Sequence, residues 1–258
     1  MESHSALRVF ARFGLAAKGV VYMLMAGLAL GAASGSGRAG GSKEAIGSLQ
    51  GKQYGDIMLG VIGVGLLAYA LWRLYSGIAN PDDEKRGKRL LYVGTGLVNL
   101  FLALEAIRIA FLSGRAESGN QAPHWTAELM SQPFGVWLVV AAGAGIGSYG
   151  IAQIVRALQA RLDKHLRLGE LDANVRAWVR RFARVGIAAR GVVFTVVGIF
   201  LVKAGLEQDP SEARDLGASM QAVLQQPFGK WLLTGIAIGL FLYGLYNLVR
   251  ARYRVIRT

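Results

Sequence analysis

Apolar positions in this chain come in blocks rather than stripes. Six segments, residues 15–33, 57–78, 90–112, 136–158, 187–204 and 232–249, are nearly continuous in hydrophobic residues. At 1.5 Å per residue, about 20 residues of helix cross a hydrocarbon core of about 30 Å, and each block approaches or exceeds that length. A helix that is apolar all round belongs in lipid or inside a bundle, not on a water-exposed surface. A soluble chain would have to bury all six around one core. The pattern therefore predicts an all-α fold, a polytopic membrane bundle of six transmembrane helices. A shorter pattern precedes the second, fourth and sixth blocks: Ile46/Leu49, Trp125/Leu129/Met130 and Met220/Val223/Leu224. Apolar residues three and four apart predict short helices lying on the outer membrane surface. Trp137 and Trp231 follow at matching positions, where an aromatic belt is expected.

The blocks are copies of one another. "ARFGLAAKGVVY" begins at Ala11 and "ARVGIAARGVVF" begins at Ala183, with 8 of 12 positions identical. A worn middle copy, "RLLYVGTGLVNL", matches at Arg89, Gly96 and Val98, with Thr95 where the others have Lys18 and Arg190. A second motif closes each unit. "KQYG" ends at Gly55, and "QPFG" ends at Gly135 and again at Gly229. Ten residues after each of these comes another glycine, Gly65, Gly145 and Gly239, and four further on a tyrosine, Tyr69, Tyr149 and Tyr243. The chain thus reads as three tandem helical hairpins: residues 1–80, residues 81–160 and, after a basic amphipathic linker at 161–182, residues 183–258. Every unit begins and ends on the same side, so the repeats share one topology. Such repeats relate by an axis along the membrane normal, and three of them predict approximate threefold pseudo-symmetry.

These motifs resemble the bacterial membrane proteins grouped as DUF1206. The resemblance runs from about Arg8 to Tyr253. It is strongest in the third copy, through Gly186, Ala189, Arg190, Gly191, Val192, Val193 and Phe194, then Gln226 to Gly229. It implies a six-span protein of the bacterial inner membrane and carries no activity or functional residues with it.

Charge sets the orientation. Basic residues cluster before the first block (Arg8, Arg12, Lys18), in the second connection (Arg73, Lys85, Arg86, Lys88, Arg89), throughout the fourth, and in the tail (Arg250, Arg252, Arg254, Arg257). The alternate connections hold few. By the positive-inside rule both termini are expected in the cytoplasm. The net charge of +13 is then a topology signal, with no nucleic-acid partner expected. The partners expected are membrane lipids, anionic lipid at the cytoplasmic face above all, and a small solute or ion inside the bundle. The first block has the outline of a signal peptide, but its copy at 187–204 cannot be one, so it reads as a retained span. The chain has no cysteine, which excludes disulfides and thiolate chemistry. His4, His124 and His165 are scattered, and no HExxH, P-loop or GxSxG occurs. Neither catalysis nor a cofactor nor a metal is expected.

Three sets of residues carry candidate chemistry. Lys18 and Arg190, inside their spans, are either a cytoplasmic anion or headgroup site or anchors whose long stems reach the headgroups. Tyr69, Tyr149 and Tyr243 lie about 21 Å from the outer end of their helices. They form a polar ring if those helices face the pseudo-axis, and otherwise bond to neighbouring helices. Glu105 and Arg108, three residues apart, with Asn99 on the same helix, are either an intramembrane ion site or an anchor at the outer end. The chain reads as an integral membrane protein of unknown function, with transport or binding of a small solute or ion within the bundle as the mechanism ranked first and a non-catalytic membrane scaffold or lipid-interacting protein as the alternative.

Overall fold

The computed structural model describes residues 2–80, 85–112, 120–159 and 172–253, and among them there is no strand. The helices are α1 (Glu2–Ser34), α2 (Ser42–Gly47), α3 (Gly55–Ala79), α4 (Arg86–Phe111), α5 (Ala122–Met130), α6 (Gly135–Leu158), α7 (Ala173–Glu207), α8 (Leu216–Leu224) and α9 (Gly229–Tyr253). Six of them, α1, α3, α4, α6, α7 and α9, are long and apolar enough to span a bilayer, and the protein is a multi-pass membrane protein built from three hairpins. Of the expected linker at 161–182, residues up to 171 lie outside those described. From Ala173 the chain is already α7, one helix continuous with the fifth span.

The "KQYG" and "QPFG" copies of one motif make the same sharp corner three times. Tyr54, Phe134 and Phe228 sit at φ near +60°, the left-handed region that costs a residue with a side chain about 1–2 kcal/mol. The following glycine starts the long helix. A Cβ at Gly55, Gly135 or Gly229 would press on the carbonyl oxygen of Leu49, Leu129 or Leu224 respectively. The corner turns the chain from a short helix directly into a span.

Packing runs mostly between repeats. The closest neighbours are α3 with α4, α6 with α7, and α9 with α1, so the third repeat closes back on the first. Within repeats, α1 packs on α3 and α7 on α9, while α4 and α6 share no packed face. The order round the bundle is α4, α3, α1, α9, α7, α6. The result is a horseshoe whose mouth lies between the two helices of the middle hairpin.

The repeated motif explains both the closed seams and the open one. Gly19, Gly96 and Gly191 occupy one motif position, and all three lie in seams between repeats. Their Cβ positions fall 2.8 Å from Gly244 O, 3.2 Å from Leu74 N and 2.8 Å from Gly150 O. The seam inside each hairpin uses a different position. A Cβ at Gly14 would fall 2.6 Å from Tyr69 N and one at Gly186 2.6 Å from Tyr243 N. The middle repeat has Leu91 at that position, and a leucine cannot let a helix come so close. Accordingly a Cβ at Gly65 would fall on Ala17 and one at Gly239 on Ala189, whereas one at Gly145 would meet no other part of the protein within 4 Å.

Opposite the termini, the three connections form a cap. Ala39 N donates to Gln221 Oε1 (3.1 Å), Lys43 Nζ to Gln121 Oε1 (3.0 Å), Asn120 Nδ2 to Ala213 O (2.8 Å) and Asp215 N to Asn120 Oδ1 (3.1 Å). Each connection is thereby tied to both others. The short helices are expected on the surface, but α2 and α8 turn Ala45, Ile46, Ser219 and Met220 into the bundle. Only α5 presents large apolar side chains outward, Trp125 and Leu129.

Candidate functional site

At the centre of the horseshoe the repeats bring their polar residues together. Tyr69, Tyr149 and Tyr243 each stand 14 residues from the glycine that begins their helix, so the three phenols reach similar depth. Tyr69 and Tyr243 are buried; Tyr149, beside the mouth, is half-buried. The phenols surround two cations rather than one another. Arg190 donates from Nε to Tyr22 Oη (2.8 Å) and from Nη1 to Tyr149 Oη (3.4 Å). Its guanidinium lies 4.6 Å from the Phe194 ring centre and 5.4 Å from that of Tyr243. Lys18 Nζ donates to Tyr69 Oη (3.4 Å) and sits 4.5 Å from its ring centre. From the termini side, Arg73 Nε donates to the same Tyr69 Oη at 2.9 Å.

Lys18 and Arg190 are each only 8% exposed. Their charged ends lie among phenols and rings of neighbouring helices rather than on the surface of the bundle. On an insertion scale a basic residue at the centre of a span costs about 2.5–3.5 kcal/mol. Ring faces return roughly 0.5–2 kcal/mol per cation, and hydrogen bonds to a charged group about 1.5–3 kcal/mol. The phenols therefore make the two cations tolerable without neutralising them. Among the described residues, no carboxylate forms an ion pair with Lys18, Arg73 or Arg190; the ion pairs described join Arg108 to Glu105, and Lys203 to Glu207 and Glu212.

Beside these cations lies a cavity of about 400 Å³. Its polar lining is Lys18 and Tyr22 from α1, Thr95 and Asn99 from α4, Tyr149 from α6 and Arg190 from α7, with Ser42 and Leu216 of the cap at its roof. The rest is apolar, including Leu66, Leu91, Val98, Leu102, Ile146 and Val197. Leu91 and Val98 are also exposed on the bilayer side of α4, so the cavity continues into the mouth.

The third candidate set divides. Asn99 joins the cavity lining, and its Nδ2 donates to Thr95 O at 2.7 Å. Glu105 and Arg108 form an ion pair at 2.9 Å near the cap end of α4 and do not line the cavity. Two members of the central cluster, Tyr22 and Arg73, are absent from the sequence-based candidates. Tyr22 is the last letter of the repeated motif, where the other copies have Asn99 and Phe194. A conservative Tyr-to-Phe exchange hides the one phenol that Arg190 uses most closely. Arg73 reads as part of the basic connection, yet it stands four residues after Tyr69, where the other repeats carry Gln153 and Asn247. That shared offset is the signal that marks it.

Comparison with known proteins agrees with the repeat. The family described as Domain of Unknown Function (DUF1206) matches residues 13–80, 90–160 and 185–254. The chain is 31% identical over 258 residues to "Uncharacterized protein YxxB" of Bacillus subtilis (strain 168), across 98% of this chain and 93% of that protein. No solved structure matches it.

Proposed function

The chain belongs to the DUF1206 family, and we propose that it is a non-catalytic binding protein of the bacterial plasma membrane, with both termini cytoplasmic, that holds an anionic ligand inside its bundle. The observation that carries this reading is the pair of buried cations, Lys18 and Arg190, on the wall of one cavity with no carboxylate paired to either among the described residues. Their missing counter-charge is what a ligand brings. Two basic side chains and phenols suit holding an anion better than moving protons, since among the described residues no carboxylate stands beside them. A scaffold whose repeats merely pack would gain nothing from cations at this depth.

Transport is the second reading. The cavity runs along α4 from Leu90 to Leu102, about 18 Å at 1.5 Å per residue, and ends beneath the cap. Release on the far side would require the cap to part.

The test uses full-length protein in phosphatidylcholine nanodiscs, with thermal unfolding followed while dodecyl phosphate, inorganic phosphate or dodecanol is added. A ligand that binds only the folded state raises its stability by mass action. Dodecyl phosphate or phosphate is expected to raise the midpoint and dodecanol not, and Arg190→Gln to abolish the difference. Indifference to both anions would overturn the reading.

A further inference from the structure

We propose that the ligand is an anionic phospholipid, drawn sideways out of the bilayer through the mouth between α4 and α6, with its phosphate between Lys18 and Arg190. This rests on the anion-binding reading above and adds the chemistry of the ligand and its route.

The route follows from which seams are closed. Five neighbouring pairs of long helices pack together, and α4 and α6 do not. The cap ties its three connections over the far end. A ligand that enters through the gap between α4 and α6 approaches through hydrocarbon. A free anion such as phosphate does not partition there, whereas a lipid is already dissolved in it.

The lining matches such a molecule from end to end. At the inner wall, Lys18 offers three N–H donors of which one serves Tyr69, and Arg190 Nη2 has no acceptor among the described residues. These suit the two free oxygens of a phosphodiester, which guanidinium and ammonium groups recognise by charge-assisted hydrogen bonds. Toward the mouth the wall becomes Leu91, Val98 and Ile146, a surface for methylenes. At about 400 Å³ the cavity has the size of a site for one drug-sized molecule. It takes the headgroup and the start of a chain, and leaves the remaining chain length in the gap.

The middle repeat departs from its siblings at the positions this requires. Leu91 replaces the glycines that close the other two hairpins, which keeps the mouth open. Thr95 replaces the cation found at Lys18 and Arg190, which leaves the space in front of those cations free. Both residues line the cavity.

The experiment reconstitutes the full chain into vesicles of equal phosphatidylglycerol and phosphatidylcholine, extracts it in mild detergent and weighs the retained lipid by native mass spectrometry. One phosphatidylglycerol per chain is expected, in at least tenfold excess over phosphatidylcholine. Thr95→Trp, which plugs the mouth and leaves both cations in place, is expected to lower that retention at least tenfold. Arg190→Gln is expected to do the same, and Arg190→Lys to recover part of it. Equal retention of the two lipids, or retention indifferent to Thr95→Trp, overturns the lipid assignment. If dodecyl phosphate or inorganic phosphate still stabilises the protein in that case, anion binding stands and only the lipid falls. If neither does, both fall together.

Discussion

Arg190 lies against four aromatic rings and finds its shortest hydrogen bond at Tyr22, so the hydroxyl of Tyr22 should matter more than its ring. Tyr22→Phe keeps the ring and its 4.7 Å edge contact with Tyr243 but strands a charged donor in the bundle. The expected loss is about 1–3 kcal/mol of stability, read from unfolding in detergent. Tyr149→Phe, which removes a longer bond at the half-open side, should cost less; the reverse order would show that Arg190 is held elsewhere. The glycines give a second contrast at this scale. Gly186→Ala places a methyl 2.6 Å from Tyr243 N, an overpacking worth about 1–3 kcal/mol. Gly145→Ala meets nothing and should be neutral or slightly stabilising, because it relieves the entropic cost of a helical glycine. Equal effects on thermal unfolding would mean that the middle hairpin is closed. The motif glycines Gly65, Gly145 and Gly239 are plain in the sequence. That the middle one has no neighbour is not, because the cause lies on a different helix, at Leu91.

Between elements, the open seam should be a property of a few side chains rather than of the backbone. Gly94 and Gly145 stand where Ala17 meets Gly65 and Ala189 meets Gly239 in the sibling hairpins. A chain without cysteine allows a clean test. The pair Gly94→Cys and Gly145→Cys is expected to resist disulfide formation, which needs Cα atoms roughly 4.4–6.8 Å apart. Adding Leu91→Gly should let α4 settle on α6 and the bridge form under mild oxidant. Rapid bridging without that change would place the two helices in contact. The spans themselves are legible from apolar length alone, and the short helices from residues spaced three and four apart. Their burial is not: Ile46 and Met220 turn inward because the cap connections bind one another, and no local pattern encodes partners up to 182 positions away.

For the whole molecule, the cap and the basic face are the two ends to probe. Asn120 both donates to Ala213 O and accepts from Asp215 N. Asn120→Ala removes both links, at about 0.5–1.5 kcal/mol each. Amide exchange should rise in residues 213–224 and not in the spans; an unchanged profile would mean the cap holds by packing alone. Orientation is argued from the basic clusters; among the described residues Arg73, Arg89, Arg156 and Arg250 lie at the end where α1 begins and α9 ends. Reporter domains fused after Thr258 and inserted near Gly37 should report opposite sides of the membrane, cytoplasmic for the first. The same side for both would contradict the hairpin topology.

The sequence alone determined that this is a six-span helical membrane protein of three same-topology hairpins, because apolar length and repeated motifs are local properties of the chain. It also marked Lys18, Arg190 and the three tyrosines as unusual, since charge and phenol inside an apolar block are visible without coordinates. Only the tertiary structure decided that Lys18, Arg190 and Tyr149 share one cavity wall with Tyr69 and Tyr243 packed against the two cations, that Asn99 lines the same cavity while Glu105 and Arg108 pair apart, and that the ring is open at one seam. The physical reason is the same in each case. Whether a buried cation meets a headgroup, a phenol or a cavity depends on which neighbour its helix packs against. That choice is made by steric fit between distant positions, a glycine at 14 or 186 admitting a backbone that a leucine at 91 keeps out.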